Sequence, residues 1–170
     1  MDFPNPLGYS KANNEGLKIA QGDYLIFLNN DTVILNSEKD GWINLLLSSF
    51  EKYPKCGISG PSMSYCEPIN SNFLIFFCAM ISRKCFSEVG YMDEGFKIGS
   101  SEDIAYCVEA VRKGFEIHQV PEEQLKNDGR YRIGNFPIYH AGEKTVHEIN
   151  NWEEIYRDNL NLLTSKYKGI

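Results

Sequence analysis

Four side chains in this sequence are placed to do chemistry: Asp31, the adjacent pair Glu102-Asp103, and His140. Asp31 ends the stretch Asp23-Tyr24-Leu25-Ile26-Phe27-Leu28-Asn29-Asn30-Asp31, in which four apolar residues run straight into three polar ones. Glu102 and Asp103 precede a helical pattern, and His140 follows the short apolar run Phe136 to Tyr139. A hard divalent cation with open coordination positions prefers oxygen ligands, and manganese also accepts an imidazole. Asp31 with His140 therefore suits Mn²⁺ or Mg²⁺ held against a diphosphate, which leaves Asp103 free as a base. Each residue taken alone has an ordinary structural explanation: a turn aspartate, a first-turn helix acid, a hydrogen-bonded core histidine.

The elements that would position these groups form an α/β pattern. Ser10 begins a helix to about Gln21, with Gly22 as its stop, and the strand Asp23 to Leu28 follows. Its continuous apolar run predicts burial on both faces, as in a sheet covered by helices, and ligands bind beyond the carboxyl ends of such strands. Ser37 with Asp40 predicts the start of a second helix carrying Ile43, Leu46, Leu47 and Phe50 on one face. A strand Cys56 to Ser59 and a long apolar strand Asn72 to Ser82 come next. Arg83 to Val89 reads as a short helical turn closed by Gly90. Ser100 is the expected cap of a helix with Ile104, Cys107, Val108 and Val111 on one face, which puts Glu102 and Asp103 in its first turn. A strand Phe115 to Val120 and a mobile loop Glu122 to Gly134 lead to His140. A final amphipathic helix begins at Asn151, with Trp152, Ile155 and Tyr156 read as core or dimer contacts. Residues 1–148 are expected to form one domain, with 149–170 a helix packing on it.

Composition narrows the function classes. The 170 residues, 42% apolar and 13% aromatic, fit one soluble globular domain with a real core. Lys+Arg 17 against Asp+Glu 23 gives a net charge of −6, which argues against nucleic acid or an anionic membrane as the main partner. The five cysteines lack CxxC spacing and are read as reduced, buried thiols of a cytoplasmic protein. No segment is long and apolar enough for a transmembrane span.

The ordered set Asn14-x-Gly16, Gly22 to Asp31, Ala79 to Arg83 with Gly90 and Asp93, Glu102-Asp103, Gly114 and His140 resembles glycosyltransferase family 2, which has the GT-A fold. The resemblance implies a mixed, mostly parallel sheet flanked by helices, lacking the first nucleotide-binding strands of the family. It implies metal-dependent, inverting transfer of a sugar from a nucleotide-diphosphate sugar to a carbohydrate or glycan acceptor. By the same resemblance Asn29-Asn30-Asp31 takes the place of the DxD motif. Asp31 and His140 are then metal ligands, Asn29, Asn30, Asn14 and Gly16 lie on the donor side, Asp103 is the catalytic base and Glu102 supports it. Ala105 and Glu109 depart from the family's usual residues. With the absent strands, they leave room for a catalytically silent module for assembly or carbohydrate binding, for a homo-oligomer paired at an open sheet edge, or for one part of a longer chain.

Overall fold

A computed structural model describes residues 7–120, 136–142 and 149–169. Its centre is a four-stranded sheet in the order β1 (Tyr24–Leu28), β6 (Cys78–Ser82), β3 (Cys56–Gly60), β7 (Glu116–Gln119). β3 and β7 pair in parallel, whereas β6 runs antiparallel to both β1 and β3. Three of the four strands thus point one way and the sheet is mixed. Side chains of β6 alternate between its two faces: Ala79 and Ile81 join a core with Leu17, Tyr106 and Cys107, while Cys78 and Met80 join one with Leu46 and Phe136. The first core is closed by α1 (Tyr9–Ile19), α3 (Arg83–Val89) and α4 (Glu102–Arg112), and the second by α2 (Gly41–Lys52). Helix and strand approach closely at Gly57, where a Cβ would lie 2.7 Å from the Phe115 side chain and 3.0 Å from Cys85 Sγ. All five cysteines are buried free thiols.

Two small ladders flank this centre. β2 (Thr32–Ile34) pairs with β8 (Ile138–His140), and β4 (Met63–Cys66) pairs with β5 (Ser71–Leu74) across a 3-10 turn at Glu67–Ile69. The long C-terminal helix α5 (Trp152–Tyr167) buries Leu163 and Tyr167 with Ile104 and Val108 of α4.

Several expectations are corrected. The apolar run Asn72 to Ser82 is two strands, not one: β5 leaves the central sheet to pair with β4, and Ile75 to Phe77 makes the turn between them. Tyr9 anchors that turn by donating its hydroxyl to the Phe76 carbonyl at 2.6 Å. β1 is buried on one face only. Among the described residues it is an edge strand, and its other face, with Ile26 39% exposed, meets α2 at the Tyr24–Phe50 ring contact, 4.9 Å between centroids. The second helix starts at Gly41, after Asp40 in a left-handed conformation, φ 60, with no side-chain capping bond. Ser101, not Ser100, stands at the head of α4, and it too makes no side-chain cap. Ser82 does cap α3 by accepting from Cys85 N at 3.2 Å, and Gly90 ends that helix at φ 89. The loop expected at Glu122 to Gly134 lies outside the described residues.

Candidate active site

β1 delivers Asp31 through a tight turn. Asn29 N donates to the Phe77 carbonyl at 2.8 Å, and the Thr32 hydroxyl donates back to the Asn29 carbonyl at 2.6 Å. The chain then enters β2, where Thr32 is the ladder partner of His140, and Ala141 N donates to the Asp31 carbonyl at 2.9 Å. Backbone pairing alone therefore joins two residues 109 positions apart in sequence (140 minus 31). Their side chains meet, with His140 Nε2 3.1 Å from Asp31 Oδ1. Among the described residues, no hydrogen-bond donor other than that ring nitrogen approaches Asp31 Oδ1. The imidazole is stacked on Phe77, centroids 4.5 Å apart and planes 9° apart. Burial pulls its pKa below the ordinary imidazole value, against the neighbouring Asp31, which pushes it up. A neutral imidazole is the form that binds a metal.

The spacing of this pair fits a cation. Two adjacent ligands of an octahedral ion, each about 2.1 Å from it, stand about 3 Å apart. Among the described residues no group of three or more His, Cys, Asp and Glu side chains converges, so phosphate oxygens and water would complete the shell, as they commonly do for Mg²⁺.

Glu102 and Asp103 begin α4 and differ in surroundings. Glu102 is buried, and its Oε2 has no hydrogen-bond partner among the described residues. Asp103 is half-buried and accepts from Ile104 N at 2.8 Å. Burial raises the carboxyl pKa of both groups. The Asp103 charge raises Glu102 further, whereas the backbone N–H groups of Ile104 and Phe76 partly hold Asp103 down. An aspartate with a raised pKa is better matched to proton abstraction near neutrality than an ordinary one.

The approach to this pair is strained. Ile98, Ser100 and Ser101 all have positive φ, at 60, 85 and 74, and such residues persist only where their surroundings over-determine them. Asn159 of α5 supplies that constraint. Its Oδ1 accepts from Lys97 N at 3.0 Å, and its Nδ2 donates to the carbonyls of Lys97 at 3.0 Å, Gly99 at 2.8 Å and Ser100 at 3.2 Å. Asn159 is 1% exposed. Sequence reasoning passed over it, although a polar residue in the helical stripe Ile155, Asn159, Leu163 was the available signal.

Asp103 and His140 open onto one cleft of about 700 Å³, within the range of about 300–1,000 Å³ usual for small-molecule sites. Tyr65, Phe73, Trp152 and Tyr156 are among its walls. Trp152 and Tyr156, read from sequence as core or dimer contacts, are cleft residues. Asn29 and the exposed Asn30 stay beside Asp31 in the turn. Asn14 does not join the site. Its amide donates to the Met92 carbonyl and Glu94 Oε1 and accepts from Met92 N, each at 2.9 Å, so it clamps α1 to the loop after Gly90. Gly16 is exposed on α1, with no atom within 4 Å of where a Cβ would stand. Neither is among the described residues that line the cleft. His118 stacks on Tyr53 at 3.9 Å and pairs with Glu116 at 3.1 Å.

A model of the family described as glycosyl transferase family 2 matches residues 1–74. Among solved structures, mannosyltransferase PcManGT from Pyrobaculum calidifontis, in complex with GDP-Man and Mn²⁺, is similar at a TM-score of 0.50 and 15% identity. The similarity covers 68% of this chain and 34% of that one, so the chain spans about a third of that structure's length. No curated protein matches the chain. At that identity the shared property is the fold, a mixed sheet flanked by helices of the GT-A type. The family match covers the segment that carries Asn29 to Asp31, so the first 74 residues are similar to glycosyl transferase family 2.

Proposed function

We propose that this chain carries the catalytic and acceptor side of an inverting glycosyltransferase that uses a nucleotide-diphosphate sugar. The observation that carries the reading is that Asp103, the candidate base, and His140, paired with Asp31, open onto one cleft. Asp103 accepts the proton of an acceptor hydroxyl brought within about 3 Å of it. The oxygen so freed attacks the anomeric carbon from the face opposite the diphosphate. The new C–O bond forms as the bond to the diphosphate oxygen breaks, its electron pair leaves with the diphosphate, and the configuration inverts. Glu102 supports the first turn of α4 and keeps a second acidic group beside the base. Asp31 and His140 would hold Mn²⁺ or Mg²⁺, and such an ion would supply Lewis-acid stabilisation of the negative charge on a leaving diphosphate. Asn29 and Asn30 lie beside Asp31 on the donor side.

The test is transfer from a panel of nucleotide-diphosphate sugars, together with melting curves in Mn²⁺ and nucleoside diphosphates. Metal-dependent stabilisation that Asp31→Ala abolishes, and transfer that Asp103→Asn removes, are expected. A chain that no nucleotide stabilises, and that transfers from no donor, would not be an autonomous enzyme.

A second reading, glycan binding without transfer, is favoured by two positions on α4. Ala105 is 3% exposed in the core and Glu109 pairs with Arg112 at 3.1 Å, so neither faces a ligand. Binding of glycans that is indifferent to metal and nucleotide would select it.

A further inference from the structure

We propose that Trp152 and Tyr156 of α5, with Tyr65 of β4, form a stacking subsite for a neutral sugar ring of the acceptor beside Asp103. The proposal rests on Asp103 as the base and names the class of molecule it deprotonates. α5 has two stripes at helical spacing. Ile155, Asn159, Leu163 and Tyr167 are buried against the protein, whereas Trp152, Tyr156 and Leu160 line the cleft. Packing explains the first stripe and Leu160 of the second, but not Tyr156, which is 48% exposed, nor Tyr65 on β4, which is 53% exposed. Large aromatic surfaces left open inside a concave site mark a place where a ligand is bound.

The remaining chemistry of the cleft selects among ligands. Ser64, Ser100, Ser101 and Glu67 add hydroxyls and a carboxylate to the aromatic walls. A pyranose has an apolar C–H face and a rim of hydroxyls, which matches that alternation. A hydrocarbon chain would bury the serines and Glu67 without partners, which costs free energy for each. The charged groups among the described lining residues are the acids Glu67 and Asp103, with no Lys or Arg, so an anionic acceptor would meet like charge. A neutral glycan satisfies both conditions and presents a hydroxyl to Asp103.

The experiment is a tryptophan fluorescence titration of the whole chain with methyl hexosides and neutral hexose oligosaccharides, in the absence of metal and nucleotide. The sequence has two tryptophans, and Trp152→Phe separates the cleft signal from that of Trp42. A saturable response that Trp152→Phe abolishes is expected from at least one saccharide. Tyr156→Ala and Tyr65→Ala should each weaken it about tenfold, a change of about 1.4 kcal/mol. Both tyrosines are exposed, so the variants should keep the parent circular dichroism spectrum. Absence of any saccharide response, a response unchanged in both tyrosine variants, or a Trp152 response to dodecanol in place of saccharides would overturn the proposal. Melting shifts with Mn²⁺ and nucleoside diphosphates are read separately, so failure of the sugar subsite and failure of the glycosyltransferase reading give different results.

Discussion

His140 Nε2 stands 3.1 Å from Asp31 Oδ1 because His140 is the ladder partner of Thr32, the residue after Asp31. The pair is thus set by backbone hydrogen bonds, and substituting either side chain should leave the β2–β8 ladder in place. Mn²⁺ with a nucleoside diphosphate at a hundredfold excess over its Kd should stabilise the parent by about 2.7 kcal/mol. For a chain of this size that is about 5–10 °C in melting temperature. Asp31→Ala and His140→Ala should each lose most of the gain while melting within a few degrees of the parent without ligand. Differential scanning fluorimetry measures both numbers.

Asn159→Ala should destabilise the fold by roughly 1–3 kcal/mol, because it leaves the part-buried carbonyls of Lys97, Gly99 and Ser100 without their donor. Urea denaturation reads the loss. Transfer activity should fall in the folded variant even where the Mn²⁺–nucleotide melting shift persists, since the loop that Asn159 fixes leads into Glu102 and Asp103 and not into Asp31. Asn159→Asp should be no better than alanine, because a carboxylate cannot donate to those carbonyls.

Asp103→Asn should lower the transfer rate by about 10²- to 10⁴-fold, the usual contribution of a general base. Burial raises the Asp103 pKa, so the acid limb of kcat/KM in the parent should lie above the ordinary aspartate value of about 3.9. An acid limb at or below that value would remove Asp103 from the role of base.

Glu102→Gln should stabilise the protein at neutral pH. The folded-state pKa of Glu102 is raised, by burial first and the Asp103 charge second. The native state therefore binds more protons than the unfolded one between the ordinary glutamate range and neutrality, and stability falls as pH rises through that window. The gain from Glu102→Gln should be largest at neutral pH and above, and should vanish below the ordinary glutamate range. His140 has the opposite sense, since its lowered pKa costs stability as pH falls below the ordinary imidazole value, but it is common to variant and parent and cancels in their difference. Thermal melts of both proteins from pH 4 to pH 8 give the comparison.

The local parts of this architecture were legible because each is written in a short window. The apolar run before Asn29, the short helical turn from Arg83 to Val89 closed by Gly90, and the first-turn acids of α4 all follow from nearest neighbours in sequence. What pairs with what was not local. Nothing between Phe73 and Ile81 marks where β5 ends and β6 begins, since both strands and the turn between them are equally apolar. The order of motifs singled out Asn14, yet its partners Met92 and Glu94 are about 80 positions away, and only the fold shows that it clamps a loop. Trp152, Tyr156 and Asn159 share one helix and divide between cleft and interior by a rotation that sequence periodicity detects but does not orient.

That division along α5 has a thermodynamic consequence. Trp152 and Tyr156 line the place where an acceptor would sit, and Asn159, less than one turn beyond Tyr156, grips the carbonyls of Gly99 and Ser100 ahead of the acidic pair. A continuous helix cannot shift at one of these positions and stay still at the other. If the proposed subsite and base are both in use, one helix contributes to each, so an acceptor that tightens α5 would also favour a well-seated Asp103, and by reciprocity the seated base would raise affinity for that acceptor.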